Sequence, residues 1–204
     1  VATRAFYLDN PMMYWAEKFD PEIVSVSGVV QSVKFTLTSE YYNDYALENT
    51  KMSKITNKAN SIISAMNRER FTTDLDKFTY LHDTLMNNTT YDTPAATDKN
   101  NYPNSHDPYG ALVLGKSVCE GNTLALSLLC HKANIPCITV MGRKGSVAHA
   151  WNYVKLNGKW TFVDPTNSNT ASSKYKYRYF LRQIPSSYAE VQVFRFQQLK
   201  THIS

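Results

Sequence analysis

The sequence predicts an α+β fold in which a central helix packs against an antiparallel sheet. Three observations carry that reading. Two segments in the first half place apolar residues at helical spacing. A third, beginning at Cys119, is apolar almost all round, as a helix at the centre of a domain would be. Behind it, two strand-like runs are joined by Asn157-Gly158, a strong signal for a tight hairpin turn.

In chain order, residues 1–21 (VATRAFYLDNPMMYWAEKFDP) contain two prolines and several aromatics and read as an irregular arm. Residues 22–38 are rich in β-branched side chains and predict one or two strands broken near Gly28. Together they suggest an N-terminal unit, residues 1–40, packed on a main domain of residues 41–204. From Tyr41 to about Asn67, Tyr45, Met52, Ile55, Ala59, Ile62 and Met66 fall on one helical face. A second helix over 74–86 carries the stripe Leu75, Phe78, Leu81 and Leu85, with Thr73 as its N-cap. Residues 87–110 hold three prolines and read as a long loop covering a site. The overlapping sequons at Asn87 and Asn88 read as chance in so Asn/Thr-rich a stretch.

The central helix, 120–132, is expected to stop at a left-handed Asn134, with Pro136 barring continuation. A strand over 137–141, a polar loop RKGSV, and the strands HAWNYVKL and KWTFVDP follow. KYKYRYFLR (174–182) alternates basic and aromatic residues. That pattern fits a polymer-binding groove, but better a half-buried strand with Tyr175, Tyr177 and Tyr179 inward. The tail after Ser186 shows no pattern that assigns an element.

Composition narrows the functional classes. The net charge of +5 favours anionic surroundings such as a cell wall or an acidic polymer. Three cysteines are too few for a disulfide scaffold. No apolar run approaches the roughly 20 residues of a membrane span. The chain opens on Val1, which suggests that a leader or neighbouring domain has been trimmed away.

In GKSVCEGN (115–122), Cys119 stands at a helix start, where free N–H groups and the helix dipole favour a thiolate. The plain alternative is a small apolar residue filling core space. The hairpin supplies what a nucleophile needs. If Asn157-Gly158 is a two-residue turn, Leu156 faces Lys159. His149, Trp151 and Tyr153 then share a face with Trp160, Phe162 and Asp164. His149 and Asp164 become a diagonal pair, roughly 7–8 Å apart at the backbone and within side-chain reach. A carboxylate on one ring nitrogen leaves the other to take a proton from a thiol. The aromatic face of the hairpin is expected to pack on the Cys119 helix and so bring Cys119 to His149.

The order GKSVCEG…HAWNYVKLNGKW…VDPT resembles the bacterial transglutaminase-like superfamily of papain-like cysteine enzymes. Spacings of 30 and 15 residues between Cys119, His149 and Asp164 suit it. DPYGALVLGKSVCEG, NIPC and LHDTLMNNTTYDT extend the resemblance, and YLDNPMMYW is similar to the arm of its secreted branch. The resemblance implies Cys119 as nucleophile, His149 as general base and acid, and Asp164 as orienter. It also implies acyl transfer on protein or peptide amides through a thioester, without a cofactor. The expected partners are protein or peptide substrates, cell-wall-associated ones among them, and not nucleic acid. The expected location is extracellular or at the cell surface.

Asn122 and Asn167 depart from the family, which often has aromatics there, so substrate selection is open. Trp151 reads as a wall of the acyl pocket or as core. Tyr109 reads as a cleft or packing residue, and Glu120 as a cleft residue or a solvated helix-start charge. The rival reading is an inactive domain that serves as a cell-surface binding module. Cys130, His131 and Cys137 match no common zinc spacing, and a Cys130–Cys137 disulfide is left to geometry.

Overall fold

A computed structural model describes residues 8–13, 19–37, 45–168 and 177–190. β1 (Phe19–Val26) and β2 (Val29–Leu37) form an antiparallel hairpin about Ser27-Gly28, where both residues are left-handed (φ 52° and 77°). Ile23, Val24, Val26, Val29, Val30 and Val33 on it are all 44–61 % exposed. Residues 22–34 are exposed throughout, while in the preceding segment Leu8 is buried and Met12 packs against the core.

α1 (Tyr45–Arg68) buries Ile55, Ala59, Ile62 and Met66, the spacing of one helical face. α2 (Asp74–Asn87) starts where the Thr73 hydroxyl accepts from the Asp76 N–H at 3.1 Å. Its stripe is Phe78, Leu81, His82, Leu85 and Met86, whereas Leu75, in the first turn, stays 43 % exposed. The 87–110 stretch is not one long loop. β3 (Thr90–Tyr91) pairs in parallel with β4 (Lys116–Ser117), and two 3₁₀ turns, Pro94–Ala96 and Pro103–His106, lie between them. A π-turn, Gly110–Leu114, ends at left-handed Gly115. Asn88 closes α2, donating from Nδ2 to the Thr84 carbonyl at 2.7 Å.

α3 (Cys119–Lys132) is buried from Glu120 through Cys130 and ends before Asn134, which is left-handed at φ 59° as expected. The main sheet runs β7 (Lys159–Val163), β6 (Val147–Leu156), β5 (Cys137–Lys144), β8 (Tyr188–Glu190), all antiparallel. Leu156 pairs with Lys159 and Tyr153 with Phe162, the register that the Asn-Gly turn implies. The expected loop over 143–147 shrinks to Gly145-Ser146. Arg143 and Lys144 stay in the ladder opposite Ala148 and Val147.

The sheet faces divide differently from expectation. Val154, Leu156, Cys137 and Val163 face α3 and share one core with Leu126 and Leu129. Trp151 and Phe162, with Val140, form a separate aromatic cluster closed by Tyr188. The aliphatic face, not the aromatic one, thus covers the helix, because β8 supplies the aromatic face with its own cover. Within 174–182 the described part is no strand. Residues 177–180 turn, Leu181 is left-handed at φ 49°, and one bridge joins Arg182 to Phe162. The left-handed residue breaks the extended geometry that alternation requires, and Tyr177 is exposed. Residues 174–176 lie outside the described residues. No helix among the described residues is long and apolar enough to cross a membrane.

Candidate active site

Val118 is extended and Cys119 opens α3, so the thiol sits at a helix N-terminus as the sequence predicts. The Val118 N–H donates to the Ser105 carbonyl at 2.9 Å, which holds the preceding loop against the helix start. That approach demands glycine at 121. A Cβ there would come within 2.7 Å of the Ser105 and Asp107 carbonyl oxygens and would collide with the Ser117 hydroxyl.

His149, on β6, donates from Nε2 to Asp164 Oδ2 at 2.7 Å, since a buried carboxylate can only accept. The Cys119 thiol lies close enough to the same imidazole to interact with it and raise its pKa. Asp164, just past β7, is wholly buried and well supplied with donors. The Tyr188 hydroxyl donates to Oδ2 at 2.6 Å, Asn167 Nδ2 to Oδ2 at 2.6 Å, and the Asn167 N–H to Oδ1 at 3.0 Å. Cys119, His149 and Asp164, far apart in sequence, therefore meet at one point.

Burial by itself would lower the His149 pKa, but the bonds to Asp164 and Cys119 and their charges outweigh it and raise it to about 9. Burial would raise Asp164, yet His149, Tyr188 and the Asn167 N–H hold it below the ordinary carboxylate value. Burial, then the Asp164 charge, pushes the Tyr188 phenol up.

These shifts set a pH dependence. His149 binds its proton more tightly folded than unfolded, so its stabilisation is complete below about 6.5 and lost as pH rises through about 9. Asp164 acts at the other end: its stabilisation is present above 3.8 and lost as pH falls through its depressed folded value. The imidazole should titrate near 9 by NMR. The urea midpoint should also fall between pH 6.5 and 9, with a shallower fall in His149→Gln. An imidazole titrating at or below 6.5 would contradict the arrangement.

Glu120 is not a solvated charge. It is buried and accepts from His106 Nδ1 at 2.9 Å and Lys99 Nζ at 3.3 Å, while His106 Nε2 donates to the Ala95 carbonyl at 3.0 Å. This staples the 87–110 segment to the first turn of α3. Burial opposes the His106 charge, but Glu120 and the Ala95 carbonyl raise its pKa overall. Asp107 accepts from the Tyr109 and Gly110 N–H groups at 2.8 and 3.2 Å, and burial pushes it up to about 7.

A cleft of about 420 Å³ opens beside His149, lined also by Tyr91, Lys144, Val147, Thr166 and Asn167. Of the two positions that depart from the family pattern, Asn167 lines the cleft and buried Asn122 bonds one of its lining residues. Asn122 donates to the Thr166 hydroxyl at 3.1 Å, and Asn167 also bonds Asp164. Trp151 is wholly buried below His149 and is core, not a cleft wall. Tyr109 packs half-buried on the core, with the Lys51 ammonium 6.0 Å from its ring. Cys130 and Cys137 are buried free thiols that hydrogen-bond each other, and His131 Nε2 donates to the Cys137 carbonyl at 2.7 Å. Among the described residues no group of three His, Cys, Asp or Glu side chains could hold a metal ion.

The sequence reading missed Tyr188, Lys144 and Tyr91, and flagged Asn167 without its bond to Asp164. Tyr188 had no signal, since it lies in a patternless tail and reaches Asp164 only through the pairing of β8 with β5.

The family model described as the transglutaminase-like superfamily matches residues 41–165. The chain belongs to the transglutaminase-like superfamily. Its described architecture agrees, since the crystal structure of a TGase superposes with a TM-score of 0.54 at 18% identity, over 95% of this chain and 61% of that one. Among curated proteins, the mouse kyphoscoliosis peptidase is 28% identical over 145 residues, 62% of this chain and 22% of that protein. The human kyphoscoliosis peptidase is 28% identical over 123 residues, 52% of this chain and 18% of that protein. The chain thus spans about a fifth of the curated relatives it matches.

Proposed function

We propose that this transglutaminase-like domain is a cysteine-dependent acyl transferase or hydrolase acting on protein or peptide amides, with Cys119, His149 and Asp164 as its triad. The observation that carries the reading is one imidazole held between a buried carboxylate and a thiol at a helix start. In the reaction, the Cys119 thiolate attacks the amide carbon, forming a C–S bond while the carbonyl π electrons move to oxygen. The backbone N–H of Cys119, at the start of α3, helps stabilise that oxyanion. His149 gives its proton to the departing nitrogen as the C–N bond breaks and the carbonyl reforms, which leaves a thioester. An amine or a water then attacks the thioester, His149 takes the incoming proton, and the thiolate is released. Asp164 stabilises the imidazolium throughout and stays ionised. An amine acceptor gives cross-linking, and water gives deamidation or peptide cleavage.

An extracellular or cell-surface setting accompanies this proposal and rests on the net charge of +5 and on the opening YLDNPMMYW. The test is the pH dependence of haloacetamide alkylation, followed by mass spectrometry, with buried Cys130 and Cys137 as internal references. Cys119 should be alkylated faster at neutral pH than an ordinary thiol. Alkylation of Cys119 no faster than an ordinary thiol would sink the enzyme reading and leave a binding module in its place.

A further inference from the structure

The cleft beside His149 holds a fixed cation that the triad does not use. Lys144, the last residue of β5, lines it together with Tyr91, Val147, Thr166 and Asn167. Its ammonium donates to Asn167 Oδ1 at 2.7 Å and stands 4.7 Å from the Tyr179 ring centroid and 5.5 Å from that of Tyr188. Ring faces and an amide oxygen hold a cation in place without neutralising it. One of its three N–H groups is taken by Asn167, and none of the lining residues is a carboxylate. The nearby carboxylate, Asp164, is buried behind the imidazole and already bonded by His149, Tyr188 and Asn167. The cleft therefore presents an ordered positive charge next to the reacting groups, with no carboxylate among its described lining residues.

We propose that Lys144 is a carboxylate-binding subsite that selects peptide substrates bearing an acidic group beside the reacting amide. This rests on the acyl-transfer reading and deepens it. Lys144 is a specificity residue: its ammonium pairs with a substrate carboxylate, while Asn167 and the two tyrosines keep the long side chain from searching other rotamers. The immobilisation lowers the entropy lost on binding. Asn167, where the family often has an aromatic, supplies the oxygen that fixes this lysine, which gives the departure a function in substrate choice.

The experiment compares iodoacetate with iodoacetamide as alkylating agents of Cys119, which differ by one carboxylate charge. Rates are measured in the wild type, Lys144→Met and Lys144→Arg, and the acetate/acetamide ratio is taken within each protein. A unit charge about 5 Å from the incoming carboxylate, in water-like surroundings, changes the ratio about fourfold. We expect the ratio to fall by about that factor in Lys144→Met, to be kept in Lys144→Arg, and to shrink in the wild type as salt is raised. Because each ratio is internal to one protein, general damage to the site cancels. Equal ratios in wild type and Lys144→Met would overturn the subsite while leaving a reactive Cys119 and the acyl-transfer reading intact. A wild-type Cys119 that iodoacetamide labels no faster than an ordinary thiol would overturn both.

Discussion

Replacing His149 by Ala is expected to lower acyl transfer by about 10³- to 10⁴-fold, with the loss in kcat and not in substrate binding. In the proposed mechanism the imidazole has two tasks that no other described cleft residue can take over. It balances the Cys119 thiolate, and it carries the proton to the leaving nitrogen. Of the other described cleft residues, Tyr91, Thr166 and Asn167 are neutral, and Lys144 is directed to Asn167 Oδ1. Asp164 in the variant keeps the Tyr188 and Asn167 bonds, so the carboxylate is not left without donors and the fold should survive. The measurement is incorporation of a labelled amine into a peptide carboxamide, alongside release of ammonia to follow hydrolysis. Cys119→Ala should fall to the same floor, and the double variant should be no worse than either single one, because the two groups act as a unit. A loss below tenfold in His149→Ala would mean that another group moves the proton, and the assignment of His149 would be wrong.

Trp151→Ala should cost about 3–5 kcal/mol of stability, the largest effect expected from a single truncation here. The indole is wholly buried and stands edge-on to Tyr188, with ring centroids 5.3 Å apart, and 6.4 Å from Phe162. Its cavity could not be refilled by the aliphatic core, which lies on the opposite face of the sheet. The fit is close enough to require Gly142, where a Cβ would collide with the Trp151 ring and the Ala189 carbonyl oxygen. The described part of β8, Tyr188–Glu190, pairs with the end of β5, and Tyr188 on it packs against this indole. Urea denaturation reads the loss. The functional signature is an Asp164 without its Tyr188 donor, seen as a higher carboxyl pKa in whatever fraction stays folded. A cost under 1 kcal/mol would mean that β8 docks without the aromatic cluster.

These two expectations separate what is local in this protein from what is not. The His149–Asp164 pair was legible because a hairpin with a two-residue turn has one register, and period-2 alternation then assigns every side chain to a face. Leu156 opposite Lys159 is a matter of turn chemistry, and the diagonal from His149 to Asp164 follows from it. The Thr73 cap, the stop at Asn134 and the stripe of α1 are local in the same sense, since propensity and φ preference act within a few residues. Even the errors have local causes. Alternation over 174–182 suggested a strand, but a ladder needs a partner and an unbroken extended backbone, and Leu181 supplies neither.

By itself the sequence determined the three long helices, the hairpin of β6 and β7, the cysteine at a helix start and the imidazole–carboxylate pair, because each depends on capping, periodicity or a tight turn. Tertiary structure alone decided which face of the sheet covers α3 and that Glu120 is locked by His106 and Lys99. It also decided that Tyr188 returns to bond Asp164 and that Lys144 stands charged in the cleft. These are contacts between residues 14 to 24 positions apart or on different layers. They form only once burial has chosen which surfaces meet, and no repeat, cap or turn along the chain encodes that choice.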